Sequence, residues 1–217
     1  MKIPFVMICF LWLISLKTNG QTYTVNFANE AYQPLVNDTT VSDSGWVGKL
    51  YPLNMPFPVL ISNVSVSQIF VDTDGRIMRR TGQGTSASYR TLIYGYGNCG
   101  LRQLASDTST ISYLISGESP ERIVKIQFRN AGFVGDETHT DKVNFQVWLY
   151  ESGKRYEIRF GPNEMVPLRA LNGAYGPFLG IGSQYLRGVP NTPSLGTLDY
   201  GLNGHPENGY VYRFTRP

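Results

Sequence analysis

The sequence predicts an all-β fold, an antiparallel sandwich of jelly-roll type, and three observations lead to it. Apolar residues alternate with a period of two. Turn-forming residues recur between short runs, with 23 Gly and 13 Pro in 217 residues. No stretch longer than ten residues keeps a helical apolar period free of Gly or Pro. Charged side chains make up only 16% of the chain and Tyr numbers 14, a composition that favours short strands and tight turns.

Alternation is clearest in the second half. In residues 142–150, Val143, Phe145, Val147 and Leu149 share one face, and Asn144, Gln146, Trp148 and Tyr150 the other. Val124, Ile126 and Phe128 alternate in the same way, as do Tyr156, Ile158 and Phe160. A two-residue period means strands with one buried face. Residues 151–154, Glu-Ser-Gly-Lys, form a hairpin turn between the last two runs, and Asp74-Gly75 is a second hairpin signal. Further strands are expected at 23–27, 58–62, 67–72, 76–79, 111–116 and 210–215. The small polar stretch 81–88 reads as a loop. Residues 172–204, rich in Gly and Pro, read as irregular loops with one or two short strands, among them 178–181. No internal repeat or composition break divides residues 21–217, which are expected to be a single sandwich domain.

The N-terminus predicts export. Lys2 precedes an apolar run from Ile3 to Leu16, and Thr18-Asn19-Gly20-Gln21 is a small, polar exit. This is the layout of a cleavable signal peptide over residues 1–20. Fourteen helical residues reach roughly 21 Å, short of a ~30 Å hydrocarbon core. Cys9 lies inside the run rather than at its end, which argues against lipid attachment. The expected product is extracytoplasmic, periplasmic or secreted, without membrane insertion after cleavage. Cleavage takes Lys2 and Lys17 and leaves seventeen basic against sixteen acidic side chains. A net charge of +1 makes no electrostatic case for nucleic acid or an anionic membrane. Cys99 is then the only thiol, so no internal disulfide can form and the core must hold the fold. Asn37-Asp38-Thr39 and Asn63-Val64-Ser65 fit the glycosylation sequon, relevant only in a eukaryotic secretory pathway.

The order of segments resembles the β-sandwich accessory modules of secreted and surface proteins from Bacteroidetes-type bacteria. The residues that carry the resemblance begin with Gly45-Trp46, Met55-Pro56-Phe57-Pro58-Val59 and the run from Ile69 to Gly75. Ile111-Ser112-Tyr113, Gly117 to Arg122, Phe128-Arg129-Asn130, the run from Asn144 to Glu151, Ile158 to Gly161 and Tyr212-Arg213-Phe214 continue it. It spans roughly residues 22–217, leaving 186–206 unmatched. Gln103-Leu104 stands where an acidic residue and Leu are expected, and Pro217 leaves no room for a C-terminal sorting domain. The resemblance implies an accessory sandwich with no catalytic residues to transfer.

Several groups could carry chemistry. Asp72 and Asp74 are weak metal candidates, because alternating carboxylates offer oxygen ligands, but the later acidic residues of a full calcium loop are missing and a hairpin turn is the expected reading. No cofactor motif is present, and Cys99 would need His139 or His205 as a base to act as a nucleophile. Carboxylates such as Glu118, Glu121, Asp136 and Glu164 are scattered rather than paired across a cleft. Glu157, mid-strand on a polar face, is expected to pair with Lys125 or Arg129. If the strands around 125, 146 and 157 are neighbours, one face presents Gln127, Asn144, Gln146, Trp148, Tyr150 and Arg155. Rings beside amides and a guanidinium suit sugars. Alternatively, residues 170–206 cover Trp148 and make it part of a second small core; Trp46 is expected to be structural. The expected function is non-catalytic recognition or adhesion, with polysaccharide or another cell-envelope component as partner. A structural envelope component and a hydrolase with a loop-built carboxylate site are the alternatives.

Overall fold

A computed structural model describes residues 23–46, 48–97, 99–104, 109–136, 138, 140–165, 176–197 and 201–216. The expected signal peptide lies outside the described residues. Fifteen strands run through the rest: β1 (Thr24–Asn29), β2 (Thr39–Ser42), β3 (Leu50–Ile61), β4 (Val64–Asp72), β5 (Arg76–Thr81), β6 (Ser88–Gly97), β7 (Leu101–Gln103) and β8 (Thr110–Ser116), then β9 (Ile123–Phe133), β10 (Val143–Tyr150), β11 (Arg155–Phe160), β12 (Phe178–Ile181), β13 (Gln184–Arg187), β14 (Ser194–Gly196) and β15 (Tyr210–Thr215). One sheet has the order β1-β15-β11-β10-β9-β8-β2, with β7 also paired to β9. The other has the order β14-β13-β12-β6-β5-β4-β3. All strand pairings are antiparallel.

The expected all-β sandwich is the fold. Strands β3 to β6 follow one another within one sheet and β8 to β11 within the other. These are meanders, so the sandwich class stands while jelly-roll alternation does not describe these two runs.

The facing sides of the two sheets bury a continuous core. Val124, Ile126, Phe128, Phe145, Val147 and Phe160 from the first sheet are all fully buried, as are Val59, Ile61, Ile69, Val71 and Ile77 from the second. Phe128 and Phe145 stack with centroids 4.6 Å apart, and Tyr96 reaches from β6 to within 5.8 Å of Phe145. This close approach explains Gly95: an added Cβ would lie 2.9 Å from both Phe145 and Val147. Trp46 is buried and meets Phe128 edge-on at 6.2 Å, the structural role expected of it.

Both predicted hairpin turns form. Gly75 N donates to Asp72 O between β4 and β5, and Gly153 N donates to Tyr150 O between β10 and β11; both glycines have positive φ. Three expectations need correction. Strand β3 spans twelve residues despite Pro52, Pro56 and Pro58. It lies at a sheet edge, its prolines all face outward, and pairing with β4 shifts register between Asn54 and Val59. Proline lacks an N–H and is accommodated at such edges and bulges. Residues 88–97, absent from the expected strands, form β6 near the middle of the second sheet. Within 172–204, three strands form instead of one or two, and they extend that sheet beyond β6. They therefore lie on the opposite layer from Trp148.

Candidate functional site

The outer face of the first sheet is crossed by a strap. Strands β1 and β2 occupy its two edges, so residues 30–38, which join them, pass from edge to edge over the strands between. Polar side chains hold the strap at successive strands. Glu30 bonds Arg213 of β15, and its Oε2 accepts from Arg159 Nη2 of β11 at 2.8 Å. The Gln33 carbonyl accepts from Gln146 Nε2 of β10 at 2.8 Å. Gln127 of β9 accepts through Oε1 from Leu35 N at 2.9 Å, Tyr32 Oη at 3.2 Å and Gln146 Nε2 at 2.9 Å. Tyr32 covers Gly161, where an added Cβ would lie 2.7 Å from the tyrosine ring.

This cover divides the six residues expected to bind a ligand. The three strands do pair in order, with Gln146 opposite Gln127 and Trp148 opposite Lys125 and Glu157. Gln127 and Gln146 are nevertheless buried, each about 1% exposed, and their polar atoms serve the strap. Asn144 holds loops in place: its Oδ1 accepts from Asn130 N and its Nδ2 donates to Pro162 O. Asn144 and Gln127 also line a cleft of about 420 Å³ with Tyr32, Pro34, Arg129 and Glu164. The Gln127 Nε2 is buried in this region without a hydrogen-bond partner.

Trp148, Tyr150 and Arg155 lie together farther along the face. Trp148 is half-buried and donates from Nε1 to Gln146 Oε1 at 2.8 Å. Lys125 Nζ sits 4.3 Å from the centre of its ring and the Arg159 guanidinium 4.4 Å, each from a strand flanking β10. Burial, then the nearby Arg159 charge, lowers the Lys125 pKa. Tyr150 is buried, with the Arg155 guanidinium 4.2 Å over its ring and Arg155 Nη2 donating to its hydroxyl at 2.5 Å. The strap covers this face at Gln127 and Gln146, and the strands formed within 178–196 belong to the other sheet.

Glu157 corrects another expectation. It is fully buried and pairs with neither Lys125 nor Arg129. Arg155 Nε lies 3.0 Å from its Oε1, Arg213 Nε donates to Oε1 at 3.0 Å, and Arg159 Nη1 donates to Oε2 at 2.5 Å. Arg159 and Arg213 each also hold Glu30, whose carboxyl is kept below its ordinary pKa chiefly by the Arg213 hydrogen bond. The parity that places Arg155 on this face applies equally to Arg159 and Arg213. The strap carries no periodic signal and could not be foreseen.

The other candidates resolve into structural roles. Arg76 Nη2 bonds Asp72 at 2.5 Å and Asp74 at 3.0 Å, and Asp72 Oδ1 accepts from Asp74 N at 2.7 Å. The guanidinium stands where a cation shared by the two carboxylates would sit. Cys99 is buried, its thiol pushed up to about 12 by burial, which keeps it protonated rather than nucleophilic. His205 bonds Tyr96 Oη at 2.7 Å through Nδ1, and His139 lies outside the described residues. Asn37 and Asn63, the sequon asparagines, are both exposed at positive φ.

No helix among the described residues is long and apolar enough to cross a membrane. No curated protein and no solved structure matches the chain. A family model described as NIDO related matches residues 22–216, from the first strand through the last. With nearly the whole sandwich inside that match, the chain belongs to the NIDO-related family, an extracellular type of module.

Proposed function

We propose that the protein is an exported, non-catalytic recognition module, acting in the periplasm or outside the cell, that binds glycan on the outer face of its first sheet. The observation that carries this is Trp148, half-buried beside two cations, with the Arg155–Tyr150 pair next along the strand. An indole with basic groups around it offers a sugar both an apolar surface and hydrogen-bond donors. Polysaccharide of the cell envelope or its surroundings fits such a surface, in keeping with an accessory module of the kind the segment order resembles.

Hydrolysis gains no support from the acids on this face. Glycoside cleavage needs one carboxyl that stays protonated as a general acid. Glu30 is held ionised by arginine, and every oxygen of Glu157 already faces a guanidinium. A structural envelope role would use the same strap and ion network without the exposed part of Trp148.

A glycan array and an insoluble-polysaccharide pull-down with the mature protein test the proposal. Trp148→Ala is expected to lower retention on the bound polysaccharide about tenfold, as loss of one stacking ring does, with the melting temperature little changed. A fall of many degrees in Trp148→Ala would mark the ring as core and remove the main support. Failure of the wild-type protein to bind any glycan would overturn the proposal.

A further inference from the structure

The second sheet carries a cleft that the Trp148 face does not share. It encloses about 370 Å³ among the turn joining β3 to β4, the turn joining β12 to β13, and the middle of β5 and β6. Its polar wall comprises Arg79, Arg90, Ser62, Asn63, Ser183 and Gln184. Arg79 and Arg90 are directly opposite in the β5–β6 register. Like charges at such a position repel and destabilise a sheet. No carboxylate among the described residues lies within ion-pair distance of either arginine.

Two further groups in the cleft are buried with unmet hydrogen-bonding capacity. Arg79 Nε and Ser62 Oγ are both inaccessible to solvent and neither has a partner. Their surroundings are fixed rather than loose: Tyr23 Oη accepts from Ser62 N at 3.0 Å, and Gln184 Oε1 accepts from Tyr23 N at 2.8 Å. Gly182 has φ +62°, and a side chain there would meet Ser62 Oγ at 2.8 Å, so the turn leaves this spot open. A buried donor without a partner costs free energy until something accepts from it. Two guanidinium groups without an ion-pair partner among the described residues and a hydroxyl, all lining one cleft, are the donor set for an oxyanion.

We propose that this cleft binds an oxyanion group, a sulfate or carboxylate, carried on an acidic polysaccharide. The anion would relieve the Arg79–Arg90 repulsion and satisfy Arg79 Nε and Ser62 Oγ. The hydroxyl and amide groups of Ser183, Asn63 and Thr91 around it suit a sugar backbone. The site is independent of the Trp148 face and does not require it to bind anything.

Binding of the mature protein to heparin (sulfated), polygalacturonate (carboxylate only), neutral dextran and phosphatidylserine vesicles tests this. The wild type is expected to bind one or both acidic polysaccharides, and dextran not at all. The ratio of the first two identifies the oxyanion. Arg79→Gln with Arg90→Gln should weaken that binding tenfold or more, on the order expected when charge-assisted bonds are lost. Arg79→Lys with Arg90→Lys should fall between, because lysine keeps charge and loses the fork. Lys49→Gln, an exposed charge beyond the far end of β3, should leave it unchanged. Circular dichroism and melting confirm that each variant folds; if the double Gln variant does not, Ser62→Ala, which removes one donor alone, takes its place and should also weaken binding. The proposal is overturned if neither acidic polysaccharide binds, if vesicles bind in their stead, or if Lys49→Gln weakens binding as much as the arginine changes do.

Discussion

Glu157 has no contact with solvent, yet it stands on the outer face of a sheet, away from the hydrophobic core. Desolvating a carboxylate costs several kcal/mol unless partners replace the lost water. Three guanidinium groups do so, and two of them reach on to Glu30, so one acid organises the middle of this face. Glu151 shows the same chemistry nearer the surface. Arg122 donates to it from Nη2 at 2.5 Å, from Nε at 2.8 Å and from its backbone N at 3.2 Å. These bonds, the Arg122 side chain's first, bring its pKa down to about 2. An unfolded glutamate titrates near 4.3. A depressed folded pKa gives stability that is present above the unfolded value and is lost as pH falls through the folded one. Melting temperature followed from pH 6 to pH 2 should therefore show wild type above Glu151→Gln at the upper end. The two curves should converge as the acid is protonated. Curves that stay parallel would mean that the Arg122–Glu151 contact contributes nothing to stability.

The strap is an element without regular secondary structure, and packing defines it. Its grip depends on Gly161 leaving room for the Tyr32 ring and on Gln127 accepting three donors at one oxygen. Gly161→Ala pushes a methyl group into that ring and is expected to cost about 1–3 kcal/mol, as overpacking does. In a Tyr32→Ala background the same change should cost little, because the obstacle is gone. Denaturant unfolding of both single variants and the double variant measures the coupling. Additive costs would show that the strap does not rest on Gly161. Strand β3 makes a complementary point. Its prolines would disrupt a central strand but face outward at an edge, where they also discourage pairing with another chain.

The whole molecule holds together through one sandwich core. Cys99 is the only cysteine among the described residues; it is buried and unpaired, and its thiol is donated to the Gly97 carbonyl at 3.5 Å. Stability should not depend on reductant. Melting curves with and without dithiothreitol are expected to coincide, and a thiol reagent should label Cys99 slowly in the folded protein and rapidly in denaturant. Fast labelling under native conditions, or a melting shift with reductant, would contradict a core that carries the fold alone.

Much of this was legible in the sequence because strand side chains alternate strictly. Period two placed Phe145, Val147 and Ile158 inside, and by the same parity set Gln146, Trp148 and Glu157 on the outer face. Hairpin residues at Asp74-Gly75 and Ser152-Gly153 showed which strands are neighbours. Strand β6 is not legible in the sequence because its glycines mimic a loop, although Gly95 is there to let Phe145 approach. Whether an outward-facing side chain meets solvent is a different question, since the cover can come from any part of the chain. Residues 30–38 cover Gln127 and Gln146 from about a hundred positions away, and no local pattern announces that contact. The sequence by itself determined the fold class and the side of the sheet on which each residue lies, because both follow from local backbone geometry. Only the tertiary structure decided which outward residues remain accessible, which arginines neutralise Glu157, and that Arg79 and Arg90 meet with no carboxylate of the described residues in ion-pair distance. Those outcomes depend on distant segments meeting in space.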